Sequence, residues 1–139
     1  MFNVRVYGLL IHDNKILLSD EVYAGHHFTK FPGGGLQFGE STIDCLKREM
    51  QEEYNWGIIV KDHFYTTDFF VESIFKKQSQ VIAIYYFFGV AEETVLNFET
   101  IKAVDDSGYL KWKSLNQLSV ADVSFPIDKK VIELLKMKL

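Results

Sequence analysis

The sequence predicts an α/β sandwich, in which strands and two amphipathic helices follow one another along a single chain. Two segments carry apolar residues at helical spacing, one beginning near Thr42 and one opened by Pro126. The segments before and between them are rich in β-branched and aromatic residues and are bounded by turn residues, as strands are. The length of 139 residues predicts a single domain that spans residues 1–139.

The first part of the chain predicts a hairpin followed by a glycine-rich turn. Strands are expected at residues 4–11 and 15–18, where apolar residues dominate. Asp13 and Asn14 lie between them, and both residue types suit a two-residue hairpin turn. Residues 23–31 are expected to form a loop that runs into a short strand before three glycines.

The second part predicts further strands and a covering helix. Residues 58–71 are interpreted as one or two strands, 73–79 as a polar turn, and 109–112 as a last strand. Residues 81–90 form the most apolar segment, which is typical of a central strand buried on both faces. The terminal helix is predicted to cover the sheet with one side, whose members are Ile127, Val131, Leu134, Leu135 and Lys138.

Three glutamates near the end of the first helix indicate a metal site. Glu49, Glu52 and Glu53 stand at i, i+3 and i+4, so a helix places them close together. Carboxylates at that spacing repel one another unless a cation lies among them. Oxygen ligands without clustered Cys or His suit Mg²⁺ or Mn²⁺. The alternative is an ordinary solvated helix face.

The helix pattern predicts how these glutamates are presented. Its core side is expected to contain Ile43, Leu46, Met50 and Tyr54, with the glutamates pointing roughly the opposite way. Arg48 lies at the margin, where it can reach Glu52 four residues later. Ser41 followed by Asp44 indicates a capping box that starts the helix near Thr42. We interpret Cys45 as a packing residue.

The segment 34–56 resembles the Nudix box. The box has seven fixed residues at fixed spacing, and six of them match: Gly34, Glu40, Arg48, Glu49, Glu52 and Glu53. Asn55 stands where the family has Gly, at the position that closes the helix. A left-handed backbone is usual there, and Asn adopts it more easily than most residues do. We therefore expect Asn55 to be a tolerated cap.

The resemblance implies a fold and a reaction. The fold would be a Nudix-type α/β/α sandwich, with a mixed β-sheet flanked by helices. The reaction would be Mg²⁺-dependent hydrolysis, with Mn²⁺ as a substitute metal, of the pyrophosphate link between a nucleoside diphosphate and another group. Substrates of that type include nucleoside triphosphates and nucleoside diphosphate sugars.

The resemblance also implies roles for individual residues. Glu49, Glu52 and Glu53 would hold the metal together with the carbonyl of Gly33, which precedes the box. Arg48 would orient the glutamates, while Gly34 and Glu40 would support the junction between loop and helix. The general base stays open between Glu49 and a loop acid after the central strand, where two candidates lie: Glu92 and Glu93.

Substrate-contacting residues are harder to assign. Arg5 and Lys30 are candidates for phosphate binding, and Phe28 is a candidate for stacking on a base. Each also suits an ordinary role, as a surface charge or as packing. The expected partner is a small-molecule nucleotide. The alternative function is a Nudix-like sensor that binds a nucleotide or nucleotide sugar without cleaving it and acts through a partner.

Composition excludes several other classes. The net charge of −4 leaves no basic footprint for duplex DNA or RNA. The longest apolar run, residues 81–91, is far shorter than the roughly 20 residues of a membrane helix. A single cysteine excludes an internal disulfide and, with the lack of a signal peptide, predicts a cytoplasmic protein. A homodimer stays open as the assembly.

Overall fold

The strands form two sheets, which the computed structural model describes over residues 1–138. Within these residues the chain also forms two α-helices and two short 3₁₀ helices, Glu93–Leu96 and Val120–Asp122. The strands and α-helices are β1 (Phe2–Leu9), β2 (Ile11–His12), β3 (Lys15–Tyr23), β4 (His26–Lys30), β5 (Gly33–Gly35), α1 (Thr42–Tyr54), β6 (Ile58–Thr66), β7 (Gln80–Val90), β8 (Thr100–Lys102), β9 (Gly108–Ser114) and α2 (Pro126–Lys138).

One sheet is mixed and the other is antiparallel. The mixed sheet has the order β5-β1-β7-β6, in which β1 and β7 run parallel and the other neighbours run antiparallel. The second sheet has the order β2-β3-β9-β8, and β4 also pairs with β3. The apolar segment predicted to be a central strand is β7, which lies inside the mixed sheet between β1 and β6. The predicted central position is confirmed, but burial on both faces is not, because seven of the eleven residues of β7 are only partly buried.

Alternating side chains of the strands build two separate cores. Val6 packs into the core that contains Leu46 and Met50 of α1. Tyr7, the next residue, packs into the core that contains Ile127 and neighbouring residues of α2. Successive side chains of a strand point to opposite faces, so the two helices cover opposite sides of the strands. The predicted α/β/α sandwich is confirmed.

The first strand departs from its prediction. Residues 4–11 were expected to form one strand, but β1 ends at Leu9, and β2 joins the other sheet from Ile11 onward. Leu9 belongs to one core and Leu10 to the other. The chain crosses between sheets at this point, so both leucines can be buried. The three-residue strand β8 was not predicted, because a run that short has no readable alternation.

The predicted hairpin turn and the two predicted end residues of α1 are confirmed. Asp13 and Asn14 have φ angles of 50° and 59° and connect β2 to β3, as the two-residue hairpin requires. Ser41 caps α1 by accepting a hydrogen bond from the backbone N–H of Asp44, at 3.0 Å. Asn55 ends α1 in the left-handed conformation, with φ 56° and ψ 37°.

The left-handed conformation of Asn55 predicts how substitutions at this position change the free energy of unfolding. Asn55→Gly should be neutral or slightly stabilising, because glycine adopts a positive φ without strain. Asn55→Val should lower the free energy of unfolding by about 1–2 kcal/mol, because a β-branched side chain is strained there. Urea unfolding of the two variants and the wild type measures the difference. Equal stability of the Gly and Val variants would place the end of the helix elsewhere.

Neither α-helix within residues 1–138 is long and apolar enough to cross a membrane. The cytoplasmic location and the homodimer stay predictions.

Candidate active site

The apolar side of α1 differs in one position from its prediction. Leu46, Met50 and Tyr54 are buried as expected, but Ile43 is 40% exposed, so its assignment to the core is wrong. Cys45 is buried in its place, with Sγ 3.5 Å from the carbonyl oxygen of Gly35. Strand β5 has no side chains, so it packs closely against that side of the helix.

The three glutamates do not point away from the core together. At 100° per residue, Glu49 and Glu53 fall between Cys45 and Leu46 around the helix axis. They are therefore half-buried at the edge of the core, whereas the side chain of Glu52 is 59% exposed. The prediction that all three glutamates face away from the core is wrong. The cause is the helix geometry itself, because at 100° per residue Glu53 lies only about 20° from Leu46, a core residue.

Arg48 connects the glutamates to the loop before the helix. Its Nε and Nη2 donate to the two carboxylate oxygens of Glu40, at 2.9 and 2.8 Å. Its Nη1 donates to Glu49 at 3.0 Å and to Glu52 at 3.2 Å, and the second contact was predicted. Nη2 also donates to the carbonyl of Gly35 at 3.0 Å. One guanidinium group therefore fixes three carboxylates relative to β5.

Charge-assisted hydrogen bonds of this kind shift the pKa values of both partners. The Arg48 hydrogen bonds, with one from the backbone N–H of Gln37, lower the pKa of Glu40 to about 2. The hydrogen bond to Glu40 in turn raises the pKa of Arg48, although burial opposes the shift. Glu40 is therefore an ionised support for Arg48 over the whole physiological range.

Gly34 has no room for a side chain. A Cβ built on Gly34 would lie 2.4 Å from Cδ of Glu49, so the Glu49 carboxylate rests directly against this backbone. Gly33 has φ 147°, and a Cβ there would lie 2.1 Å from the carbonyl oxygen of Val6. Gly34 therefore lets β5 approach Glu49 on α1, and Gly33 lets it approach the backbone of β1.

Glu53 is the most strongly perturbed of the three glutamates. Burial, together with the carboxylates of Glu21 and Glu49, raises its pKa to about 8, although Lys30 opposes the shift. A hydrogen bond between Glu53 and Glu49 contributes to the same shift. At neutral pH the Glu53 carboxyl therefore keeps its proton in the absence of another cation.

The donor set suits a hard divalent cation in its chemistry. Three carboxylates lie along α1: Glu49 and Glu52 each contact Arg48, and Glu53 lies beside Glu49. Within the described part of the chain, no group of three Asp, Glu, His or Cys side chains is already arranged to hold a metal ion. Instead, Glu53 is paired with Glu49 through a hydrogen bond, and Glu49 and Glu52 are paired through Arg48.

A cleft of about 680 Å³ is lined by Glu21 and Lys30, whose charges act on Glu53, although Glu49, Glu52 and Glu53 do not themselves line it. Lys30 lies in its wall and is only 3% exposed, with Nζ 2.9 Å from the carboxylate of Glu21. Burial lowers the pKa of Lys30, but the Glu21 carboxylate more than offsets this, so the pKa is raised overall. Nζ also donates to the carbonyl oxygens of Phe31 at 3.2 Å and Gly33 at 3.4 Å. The carbonyl predicted to bind metal thus contacts a lysine in this structure.

Two residues that were predicted to contact the substrate also line the cleft. Arg5 lines the cleft, and its Nε donates to the hydroxyl of Tyr7 at 2.6 Å. Phe28 also lines it, with its ring centroid 5.8 Å from that of Phe75 and 5.2 Å from that of Phe125. Both are placed where a ligand in the cleft would touch them.

The two loop acids lie elsewhere. Glu92 and Glu93 follow β7 and are exposed, and neither lines the large cleft. Glu92 borders a separate shallow depression with Asn55 and Trp56, at the C-terminal end of α1.

Sequence reasoning missed the floor of the cleft. Tyr85 of β7 and Asp128 of α2 line it, and the Tyr85 hydroxyl donates to Oδ1 of Asp128 at 2.5 Å. The available signal was the position of Asp128 in α2. It stands four residues before Ile132 and seven before Leu135, so it interrupts an otherwise apolar helix stripe.

The comparisons with known proteins agree with this geometry. A NUDIX domain model matches residues 1–135, which is nearly the whole chain. The chain belongs to the NUDIX domain family. The resemblance and the enzyme class predicted from the box, a Nudix hydrolase, are confirmed by this match. No curated protein matches the chain at a significant level.

Solved Nudix structures share the fold. The E. coli ORF135 protein is 19% identical with a TM-score of 0.74, and the match covers 98% of this chain and 89% of that one. The MutT protein from Methanosarcina mazei Go1 is 20% identical with a TM-score of 0.73, over 99% and 94% of the two chains. A UDP-X diphosphatase is 18% identical with a TM-score of 0.68, over 99% and 62%. At these identities the likeness concerns the fold alone.

Proposed function

We propose that this chain, acting as a single Nudix domain, is a Mg²⁺-dependent hydrolase, with Mn²⁺ as a substitute metal. Its substrate would be a nucleoside triphosphate or a nucleoside diphosphate sugar, cleaved in the pyrophosphate linkage. The supporting observation is that Lys30, which lines the cleft together with Arg5, acts electrostatically on Glu53, the neighbour of Glu49 on α1. Carboxylates bind divalent cations and basic side chains bind phosphate, so both parts of a metal–phosphate site are present together.

Different residues of the chain would bind the metal and position its ligands. Glu49, Glu52 and Glu53 would hold Mg²⁺, with the Gly33 carbonyl available once Lys30 moves from it. When bound, Mg²⁺ supplies electrostatic stabilisation of the negative charge that develops on the phosphate chain. Arg48 fixes the carboxylates of Glu49 and Glu52 at 3.0 and 3.2 Å, so that they do not need to reorient during the reaction.

The proton acceptor is assigned by position. A general base must come within hydrogen-bond distance of the attacking water. None of the three candidates lines the large cleft, but Glu49 lies against Gly34 and beside Arg48 and Glu53, whereas Glu92 and Glu93 are exposed residues after β7. We therefore assign the base to Glu49. Arg5 and Lys30 would bind the phosphates, and Phe28 would contact the base or sugar.

A non-catalytic sensor is the second candidate. It is favoured by one observation: in residues 1–138, no three metal-binding side chains are arranged around one point. A sensor would bind a nucleotide in the cleft without hydrolysing it. Two structural neighbours, MutT and a UDP-X diphosphatase, instead support the hydrolase and its nucleotide substrates.

The reaction class is tested with a substrate panel in ¹⁸O-labelled water. The panel contains nucleoside triphosphates, ADP-ribose, nucleotide sugars and dinucleoside polyphosphates. We expect turnover of a triphosphate or a nucleotide sugar, with ¹⁸O in a phosphate-containing product, because water attacks phosphorus. Mass spectrometry of the products measures the label.

Two outcomes would contradict the proposal. Label in an unphosphorylated sugar would indicate glycosidic cleavage and replace the reaction class. If no member of the panel is cleaved but one raises the melting temperature, the sensor is the better description.

A further inference from the structure

The buried ammonium group of Lys30 lies among oxygen atoms of the chain itself. Lys30 is 3% exposed, and its Nζ is 2.9 Å from the carboxylate of Glu21. Nζ also donates to the carbonyl oxygens of Phe31 and Gly33, at 3.2 and 3.4 Å. The ring of Tyr7 lies beside it, with its centroid 5.1 Å from Nζ. Oxygen atoms and an aromatic face together make a position that suits a cation, and a side chain of the protein fills it.

Lys30 acts on two of the proposed metal ligands. One is the Gly33 carbonyl oxygen, which accepts its hydrogen bond. The other is Glu53: burial raises the pKa of Glu53, and the positive charge of Lys30 opposes this shift. Two cations held a few ångströms apart repel each other strongly where water is excluded. A divalent cation at the Gly33 carbonyl and the Lys30 ammonium in its buried position therefore disfavour each other.

The cleft offers the ammonium group a second position. Lys30 is the last residue of β4 and lines the cleft of about 680 Å³. A lysine side chain is long and flexible, so Nζ can move while the strand stays in place. Leaving the buried position breaks the ion pair with Glu21. A phosphate group in the cleft would replace that partner, because an ammonium group binds phosphate as a point charge.

We propose that Lys30 is an internal competitor for the divalent cation: its ammonium group holds the Gly33 carbonyl in the metal-free protein, and metal binding displaces it into the cleft. This rests on the proposed function, which names the metal ligands. Lys30 is then a positioning residue that moves between the metal site and the substrate phosphates. If the displaced form is populated about one-tenth of the time, the apparent metal affinity is about tenfold weaker than the intrinsic one.

Calorimetric titration of the nucleotide-free protein with Mn²⁺ tests the proposal. Lys30→Met keeps a long side chain without the charge, and it should bind Mn²⁺ about tenfold to a hundredfold more tightly than the wild type. The double variant Glu21→Gln, Lys30→Met removes both members of the ion pair, so no buried charge is left without its partner. Its net charge equals that of the wild type. It should still bind Mn²⁺ about tenfold more tightly, because the carbonyl is accessible.

Lys111→Met is the matched control. Lys111 also pairs with a buried acid, since its Nζ lies 2.8 Å from the carboxylate of Asp20, but it lies outside the cleft. Removing this charge changes the Mn²⁺ affinity only through screened electrostatics, so the affinity should stay within about twofold of the wild type.

The movement of the ammonium group is measured separately by NMR. In protein labelled with ¹⁵N-lysine, the signal that disappears in Lys30→Met belongs to the Lys30 ammonium group. Buried, hydrogen-bonded groups exchange their hydrogens slowly with water. Saturation with Mg²⁺, which is diamagnetic, should speed up exchange at Lys30 about tenfold or more, because the group moves into the cleft. Exchange at Lys111 should stay the same.

Several results would overturn the proposal. These are an unchanged Mn²⁺ affinity in Lys30→Met, no binding of Mn²⁺ by any variant, or unchanged exchange at Lys30 with Mg²⁺. A double variant that binds Mn²⁺ as the wild type does would also overturn it, because the removed charge alone would then explain Lys30→Met.

The proposed hydrolase can fail independently of Lys30, because neither measurement requires turnover. Tighter metal binding by both Lys30 variants without hydrolysis of the substrate panel would keep the competitor and remove the reaction. Hydrolysis of the panel with an unchanged metal affinity in both variants would keep the reaction and remove the competitor.

Discussion

Replacing Glu53 or Glu52 by Gln is expected to lower kcat by about a hundredfold to a thousandfold. A divalent cation stabilises transition-state charge by several kcal/mol, and each 1.4 kcal/mol is a factor of about ten in rate. An amide oxygen is a weaker ligand than a carboxylate, so either change weakens the hold on the metal. Steady-state kinetics measures the effect, and calorimetric titration with Mn²⁺ measures the loss of metal affinity independently.

Folding should be largely unaffected by these two changes. Glu53 keeps its proton up to about pH 8 because it is buried and lies near Glu21 and Glu49. Its neutral amide replacement therefore fits the metal-free site at neutral pH, and the melting temperature should stay the same or rise. Asp44→Asn is the matched control, because Asp44 is an exposed acid on the same helix. Full activity in excess chelator, or unchanged kcat in both variants, would contradict the assignment of these glutamates as metal ligands.

Asp128→Asn is expected to remove a large pH dependence of stability. Burial raises the pKa of Asp128 from 3.8 to about 6, although the Tyr85 hydrogen bond opposes the shift. The folded protein therefore binds this proton more tightly than the unfolded chain does. The free energy of unfolding falls as the pH rises from about 4 to about 6, and the full loss, on the order of 3 kcal/mol, is present above pH 6.

The measurement is urea unfolding of the wild type and the variant across that pH range. Since the amide does not titrate, the difference in unfolding free energy between the two proteins should grow with pH by about this amount and then level off. Other groups, including Glu53, contribute equally to both profiles and cancel in the difference. Glu133→Gln, which changes an exposed acid of the same helix, should give a profile parallel to the wild type. If the profile of Asp128→Asn were also parallel to that of the wild type, burial would not raise the pKa of Asp128.

The local parts of the site could be predicted from the sequence because each depends on residues close along the chain. The Arg48–Glu52 contact follows from a spacing of four on a helix, and the backbone of Asn55 follows from its place at the helix end. The faces of α1 were assigned less well. Which side of a helix is buried depends on what packs against it, and strand β5 covers Cys45 where the periodicity alone favoured Ile43.

The cleft could not be predicted for a different physical reason. Glu21, Lys30, Tyr85 and Asp128 come from β3, β4, β7 and α2, and only the pairing of strands far apart in sequence brings them together. No spacing rule links such residues. An acid inside the apolar stripe of α2 was a readable signal for Asp128, but it says nothing of the partners that surround it.

The crossing of the chain between two sheets at Leu10 has a consequence for how the protein is made. Strand β1 pairs with the nearby β5 on one edge and with β7 on the other, and β3 pairs with the nearby β4 and with β9, so one edge of each strand waits for a partner synthesised much later. The end of α1 is also tied to late residues, because the Val104 N–H donates to the Glu53 carbonyl at 2.8 Å. Such distant pairings slow folding and leave strand edges exposed on the ribosome. The acidic helix can therefore reach its final place only after most of the chain has emerged.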